Sequence, residues 1–312
     1  MQESRMLEGV VPVVVTPLTT EEEIDTKALV RLVDFLIESG VGGMWALGTG
    51  SEDMNLSFDK RLTVAQTIAE ANRGRVPLIM GAGFFALEDS HRFIEETSDL
   101  EFDAHHVMPY HPLLSLERMA WMYRRLAKAA PRPIWMYTSA NWCRPFPPDF
   151  VADLCDEPNI AGIKFSSSKT TDQLKVAKLA DPSFQVITAV VAQFFVCLSM
   201  GVKAGTTSMA SALPDAIGEI YQHFVGGDRE AALAAQYNLI GFLDALPKTA
   251  KADNFLGAAE EKYILSLRGI CDPKTSSYYR DLDTEEQAAV RSALEKFGYL
   301  ERVNRTRNTS RV

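Results

Sequence analysis

Cysteine is scarce in this chain of 312 residues. The four present (Cys143, Cys155, Cys197 and Cys271) form no CxxC pair, which argues against structural zinc and a disulfide scaffold and fits free thiols in a reducing compartment. Long apolar runs are missing too. None approaches the ~20 residues of a membrane helix, and the run at 10–15 is too short for a signal-peptide core. Positive charge is in deficit, with 32 Lys and Arg against 41 Asp and Glu and a net charge of −9. A chain this acidic is a poor partner for nucleic acid or an anionic membrane, since both need a basic face. These absences together point to the cytoplasm, so the Asn304 and Asn308 sequons near the C-terminus are discounted.

Cofactor signatures are absent as well. There is no HExxH and no P-loop. Gly81-Ala82-Gly83 follows an apolar run but lacks the third glycine and the acidic ribose partner of a dinucleotide site. His105 and His106 are adjacent, so on a strand they face opposite sides and cannot chelate one ion together. No metal and no cofactor is expected.

What the chain does have is alternation. Short apolar runs at 10–15, 44–47, 76–80, 104–108, 134–137, 160–165, 184–188 and 204–207 read as buried strands. Amphipathic stretches at 25–40, 57–72, 88–100, 116–129, 148–155, 171–180 and 193–200 lie between them, with Asp25 and Ser57 placed as N-caps. Nearly continuous apolar strands separated by helices imply a parallel sheet covered on both faces. Eight such units by about residue 225 imply an α/β fold, a (β/α)8 TIM barrel, which needs roughly 250 residues. Helical stretches at 228–246, 254–268 and 284–297 follow without a linker. The chain therefore divides into a catalytic barrel (1–225), a C-terminal helical extension packed on it (226–300) and a polar tail (301–312) expected to fray.

Active sites of such barrels lie at the C-terminal ends of the strands. The polar residues there are Thr16, Gly48-Thr49-Gly50-Ser51-Glu52, Tyr110-His111, Tyr137, Lys164 with Ser166-Ser167-Ser168, Thr188 and Gly205-Thr206-Thr207-Ser208. Lys164 ends an apolar run, so its amine points at the barrel core or its mouth. Burial disfavours the ammonium. Lowering its pKa by about 3 units corresponds to roughly 4 kcal/mol and would yield a nucleophilic amine, with Lys169 as a second cation that could help. A lysine snorkelling to the rim satisfies the same position. Tyr137 could relay protons or simply pack. Gly48-Thr49-Gly50-Ser51 is a donor-rich turn that could cradle a carboxylate.

In order and spacing these motifs resemble the dihydrodipicolinate synthase and N-acetylneuraminate lyase family, the pyruvate-dependent class I aldolases. The resemblance covers residues 9–225. It rests on Thr16-Pro17-Leu18, Gly40-Val41-Gly42-Gly43, Gly48-Thr49-Gly50-Ser51-Glu52, Leu56-Ser57, Pro77 through Gly83, Pro109-Tyr110, Tyr137, Gly162-Ile163-Lys164 and the segment 201–208. It implies a Schiff-base lyase acting on pyruvate or another small 2-oxo acid with an aldehyde partner. Lys164 would be the imine-forming lysine, Tyr137 the proton-relaying phenol and Thr49 its link to the next relay group. His111 stands where the family places a tyrosine reaching into the neighbouring subunit, which implies a homodimer or homotetramer. Gly48, Gly50, Ser51, Ser166, Gly205 and Thr207 are the expected substrate contacts.

Departures from the family pattern bear on the second substrate. Gly50-Ser51 shifts the carboxylate-binding hydroxyl by one residue. Trp142 replaces the arginine that grips the second substrate's carboxylate in the synthase, with Arg144 nearby. Ala189-Val190-Val191-Ala192 replaces a polar sugar-reading segment, and Phe165 follows the lysine. A site lacking those hydrogen bonds disfavours charged or polyhydroxylated partners, so an apolar or aromatic aldehyde, or a compact 2-oxo acid, is expected. Three alternatives stay open: 4-hydroxy-tetrahydrodipicolinate synthase itself, a dehydratase or aldolase of 2-oxo-3-deoxy sugar acids, and a catalytically silent metabolite-binding barrel.

Overall fold

Asp25 and Ser57 open the first two barrel helices. Their side-chain oxygens accept from the backbone N–H of Ala28 (2.9 Å) and Lys60 (3.3 Å), donors that a first helical turn leaves unpaired. Helix α1 (Thr26–Glu38) buries Leu29, Leu32, Val33 and Leu36 on one face, and the chain turns away where Gly40 adopts φ +73°. The computed structural model describes residues 5–139, 143–247 and 258–309.

The strands are β1 (Gly9–Pro12), β2 (Met44–Ala46), β3 (Leu78–Gly81), β4 (Ala104–Val107), β5 (Ile134–Tyr137), β6 (Ile160–Phe165), β7 (Gln185–Thr188) and β8 (Ala204–Thr207). All pairings among them are parallel, in the order β1-β8-β7-β6-β5-β4-β3-β2. A parallel bridge from Val13 to Trp45 joins the two ends of the sheet. Between the strands run α2 (Phe58–Asn72), α3 (Leu87–Glu96), α4 (Leu116–Ala129), α5 (Pro148–Leu154), α6 (Thr170–Ala177) and α7 (Phe194–Ser199), with α8 (Met209–Ala212) and α9 (Pro214–Val225) after β8. The chain is a TIM barrel. Strand limits differ from the apolar runs by a residue or two, for local reasons. Leu47 takes φ +54°, which ends β2 early, and β3 starts only after Pro77, which has no N–H to give a ladder.

Side chains alternate between two cores. Val11, Trp45, Ile79, Trp135, Tyr137, Ile187 and Ala204 fill the barrel interior, while Val10, Met44, Leu78, Ile134, Ile163 and Val186 pack outward against the helices. Leu7 plugs the N-terminal end. Its backbone N–H donates to Gln185 Oε1 (2.9 Å), and its carbonyl accepts from Gln185 Nε2 (2.6 Å).

After α9 come α10 (Arg229–Ala245), α11 (Ala259–Leu267), α12 (Thr284–Lys296) and α13 (Leu300–Thr309). The segment expected to fray from residue 301 is helical through Thr309 instead. Val303 is fully buried, and Arg302 pairs with Glu219 of α9 at 2.8 Å. The polar composition of that stretch hid a one-residue apolar anchor. Helix α11 reaches the mouth of the barrel, where Lys262 Nζ lies 2.8 Å from Glu52 Oε1, both side chains buried.

Candidate active site

Lys164 is placed by register. β6 pairs Lys164 with Tyr137 of β5 and with Ile187 of β7, both interior residues, so the lysine also points into the barrel. The interior position below it is Gly162. A Cβ there would lie 2.9 Å from the Trp135 ring, so only glycine lets that indole fill the barrel beneath the amine. Trp135 meets Trp45 edge-on at 5.9 Å, and Trp45 stacks on His106 at 4.3 Å. The amine therefore stands on an aromatic floor and is 3% exposed. Its Nζ lies 4.1 Å from the centre of the Tyr137 ring and 5.2 Å from that of Trp45. Burial pulls its pKa down to about 7, against the opposing pull of the Asp53 carboxylate. Lys169, considered from the sequence as the charge that depresses it, is exposed at the rim, and burial dominates instead.

Tyr137 Oη and Thr49 Oγ1 lie 2.9 Å apart, so three of the expected catalytic residues meet in one place. Burial raises the phenol's pKa and keeps it protonated at neutral pH, while the threonine's hydrogen bond favours the phenolate. Such a hydroxyl can hand over a proton and take it back. Thr49 opens a tight 3-10 turn, Thr49–Ser51, directly after β2.

His111 stands apart from this trio. It stacks on Phe85 at 4.8 Å, in an apolar groove with Phe84, Leu114 and Trp121. Ser51 is fully buried, donates its hydroxyl to the Val14 carbonyl (2.5 Å) and accepts from the Gly48 N–H (3.3 Å), so its proton already has a backbone partner. Gly48 packs near Trp45, and Gly50 faces Ser208, whose Cβ would be 2.7 Å from an added methyl. On β8 the alternation puts Thr206, not Gly205 or Thr207, on the same side as interior Ala204. A Cβ on Gly205 would meet the ring of Phe194 on α7 at 2.7 Å. The buried Thr206 hydroxyl has no protein partner.

Ser166 and Arg144 line a cleft of about 460 Å³ between the loops after β5 and β6, together with Phe146, Phe165, Ser167, Ser168 and Lys169. Phe165 is itself buried in the outer core, so it forms a wall of this cleft and does not enter the barrel interior. Trp142 lies outside the described residues.

Sequence reasoning passed over a second buried polar group. Asp53, four residues past Thr49, accepts from Tyr110 Oη (2.8 and 3.0 Å to its two oxygens) and from Arg61 Nη2 (3.3 Å). Asp53, Arg61 and Tyr110 are all buried. The available signal was the close sequence spacing of Asp53 and Arg61 across the Ser57 cap. His106, weighed from the sequence only as a metal ligand, lies in the interior with Nε2 2.9 Å from the Ala46 carbonyl, and burial holds its pKa well below the usual value, so the ring is neutral. His105 faces the opposite side as expected, against Thr97, with its pKa depressed to about 3 by burial. Among the described residues no three His, Cys, Asp or Glu side chains come together as metal ligands, and no helix is long and apolar enough to cross a membrane.

Comparison with known proteins gives a consistent picture. The model of the dihydrodipicolinate synthetase family matches residues 6–297. A 4-hydroxy-tetrahydrodipicolinate synthase of Laribacter hongkongensis (strain HLHK9) is 30% identical over 236 residues, spanning 73% of this chain and 79% of that protein. The E. coli K12 prophage protein YagE, of the dihydrodipicolinic acid synthase family and solved in complex with pyruvate, superposes with a TM-score of 0.85 at 20% identity, over 95% of this chain and 100% of that one. The N-acetylneuraminate lyase of Mycoplasma synoviae superposes with a TM-score of 0.81 at 22% identity, over 93% and 98% of the two chains. At those identities the two structures speak to the fold alone.

Proposed function

The chain belongs to the dihydrodipicolinate synthetase family, and on that footing we propose that it is a lyase of the class I aldolase type, in which Lys164 forms an imine with pyruvate or another small 2-oxo acid. The observation that carries this reading is the burial of Lys164 on an aromatic floor, with its pKa drawn down to about 7 and the Tyr137 ring beside it. An amine that is half neutral at neutral pH can attack a ketone, and an ammonium cannot. Tyr137, linked to Thr49, then moves the protons: it protonates the departing hydroxyl of the carbinolamine and takes a proton back as the enamine forms. The N–H groups of Thr49 and Gly50 in that turn would be donors to the substrate carboxylate, since the Gly48 N–H is already given to Ser51.

The enamine then makes or breaks a C–C bond with an aldehyde. The cleft beside Arg144 and Ser166 supports an apolar or aromatic partner, because Phe146, Phe165, Pro145 and Pro147 make up much of its wall. His111 and the exposed side chains around it favour self-association as a homodimer or homotetramer, through which a second copy's His111 would approach Thr49. Four free thiols fit a cytoplasmic setting.

The test is an assay of aldol addition and cleavage with pyruvate and a panel of aldehydes. Aromatic aldehydes should be turned over with the highest kcat/KM, and K164M should abolish turnover. A clear preference for aspartate semialdehyde or for a sugar would overturn the substrate assignment.

A further inference from the structure

Imine formation in the Lys164 reading creates a buried cation. The neutral amine adds its electron pair to the ketone carbon. The carbonyl oxygen, protonated twice, leaves as water, and the nitrogen keeps one proton and a positive charge. A desolvated cation of this kind needs compensating negative charge. The rings of Tyr137 and Trp45 offer their faces but carry no net charge.

A buried carboxylate opens the second 3-10 turn after β2. Asp53 follows the Thr49 turn, is 1% exposed, and is clamped by the Tyr110 hydroxyl on both oxygens and by Arg61. Arg61 is in turn held by its guanidinium lying 3.7 Å from the centre of the Phe84 ring. Tyr110 packs in the same interior cluster as Tyr137 and Trp45, so the clamp is continuous with the floor under the amine. An acid clamped this way cannot swing to solvent. Burial raises its pKa above the usual carboxylate value, while Arg61 and the Tyr110 hydroxyl favour the ionised form that the clamp holds in place.

We propose that Asp53 is the counter-charge of the Lys164 iminium, acting from the turn after β2 without touching substrate, and that it thereby sets how much of the enzyme rests as iminium. This rests on the Lys164 reading above. The groups facing Lys164 are consistent with it. Trp45 from β2 and Ile187 from β7 are uncharged, His106 from β4 is held neutral by burial, and Tyr137 from β5 is held protonated. Asp53 is the anion whose field reaches the amine, and it raises the amine's pKa against burial. Around Asp53 itself stand Arg61, Tyr110 and, from the C-terminal segment, Tyr279, while neighbouring Glu52 is paired with Lys262.

The experiment follows exchange of the pyruvate methyl protons in deuterated buffer as a function of pH, together with the fraction of chain trapped by borohydride at saturating pyruvate. Removing the anion lowers the pKa of the amine. In D53N the acid limb of the exchange profile should therefore move down by about half a pH unit or more. At the plateau pH, the trapped fraction should fall by roughly fivefold or more, because about 1 kcal/mol of iminium stabilisation is lost, a factor of about five in population. Loss of both charges in D53N/R61Q avoids leaving a lone buried guanidinium and should give the same two changes; D53E should restore both. Damage to packing alone would lower the rate without moving the limb. If either folded variant keeps the limb in place and the trapped fraction within about twofold of native, the counter-charge role is overturned. If the native protein neither exchanges the protons nor traps at Lys164, the imine reading fails and the counter-charge goes with it.

Discussion

At the scale of single residues, the amine of Lys164 ties chemistry to stability. Its pKa falls from 10.5 to about 7 in the folded chain. Between those values the unfolded chain binds the extra proton, so stability rises with pH across that window. Burying the lysine therefore costs most at and below pH 7 and nothing above 10.5. K164M should be more stable than native by a few kcal/mol at pH 7, since each tenfold change in proton affinity is worth about 1.4 kcal/mol, and the gap should close as the pH approaches 10.5. Denaturant titrations at pH 7 and pH 10 check this, and an unchanged or reversed gap would show that the amine is charged and paired. Y137F is the complementary variant. Its packing is nearly conserved, so stability should hold while turnover falls by about 10² to 10⁴. The three residues that meet at the site, Lys164, Tyr137 and Thr49, were legible because each ends an apolar strand run or opens the turn after one. Asp53 was not, because an acid in a polar loop reads as a solvated surface group until Tyr110 and Arg61 close over it.

At the scale of elements, the alternation of apolar runs revealed the eight strands, but it could not say which residues of a strand face inward. Every residue of a barrel strand is buried on one side or the other, so the apolar pattern carries no phase. β8 shows the consequence. Gly205 and Thr207 were expected to contact substrate, yet Thr206 shares the interior side with Ala204. In β6 the charged end of the run supplied the missing phase. The turn after β2 is fixed from outside the barrel by α11. Glu52 takes φ +58° and its carboxylate lies between the Lys262 amine (2.8 Å) and the Ser276 N–H (2.9 Å), while Glu261 accepts from Ser208, which packs on Gly50. K262M strands a buried carboxylate and should cost about 3–5 kcal/mol. E52Q/K262M, which removes both charges, should cost clearly less. Equilibrium unfolding of the two variants decides, and equal losses would mean that the pair contributes through packing and not through charge.

At the scale of the whole molecule, two of the exposed apolar side chains share one groove. Phe85 is 70% exposed and Trp121 40%, and both line one groove with His111 and Leu114; Leu113, 83% exposed, lies beside His111 and Leu114 in sequence. This is the surface on which the proposed self-association rests. F85E/L113E should lower the sedimentation coefficient to that of a single chain and reduce turnover together with it. A double variant that sediments like native would remove this surface from the assembly. The tail from residue 301 belongs to the same scale of error. Its composition reads as solvated, and only the docking of Val303 against the extension reveals the helix.

The imine at Lys164 underlies the catalytic expectations. It is tested most directly by borohydride reduction in the presence of pyruvate, followed by mass mapping of the digested chain. The expected result is a single pyruvate-derived adduct on the peptide carrying Lys164, absent from K164M. Label on another lysine, or none at all, would contradict the imine.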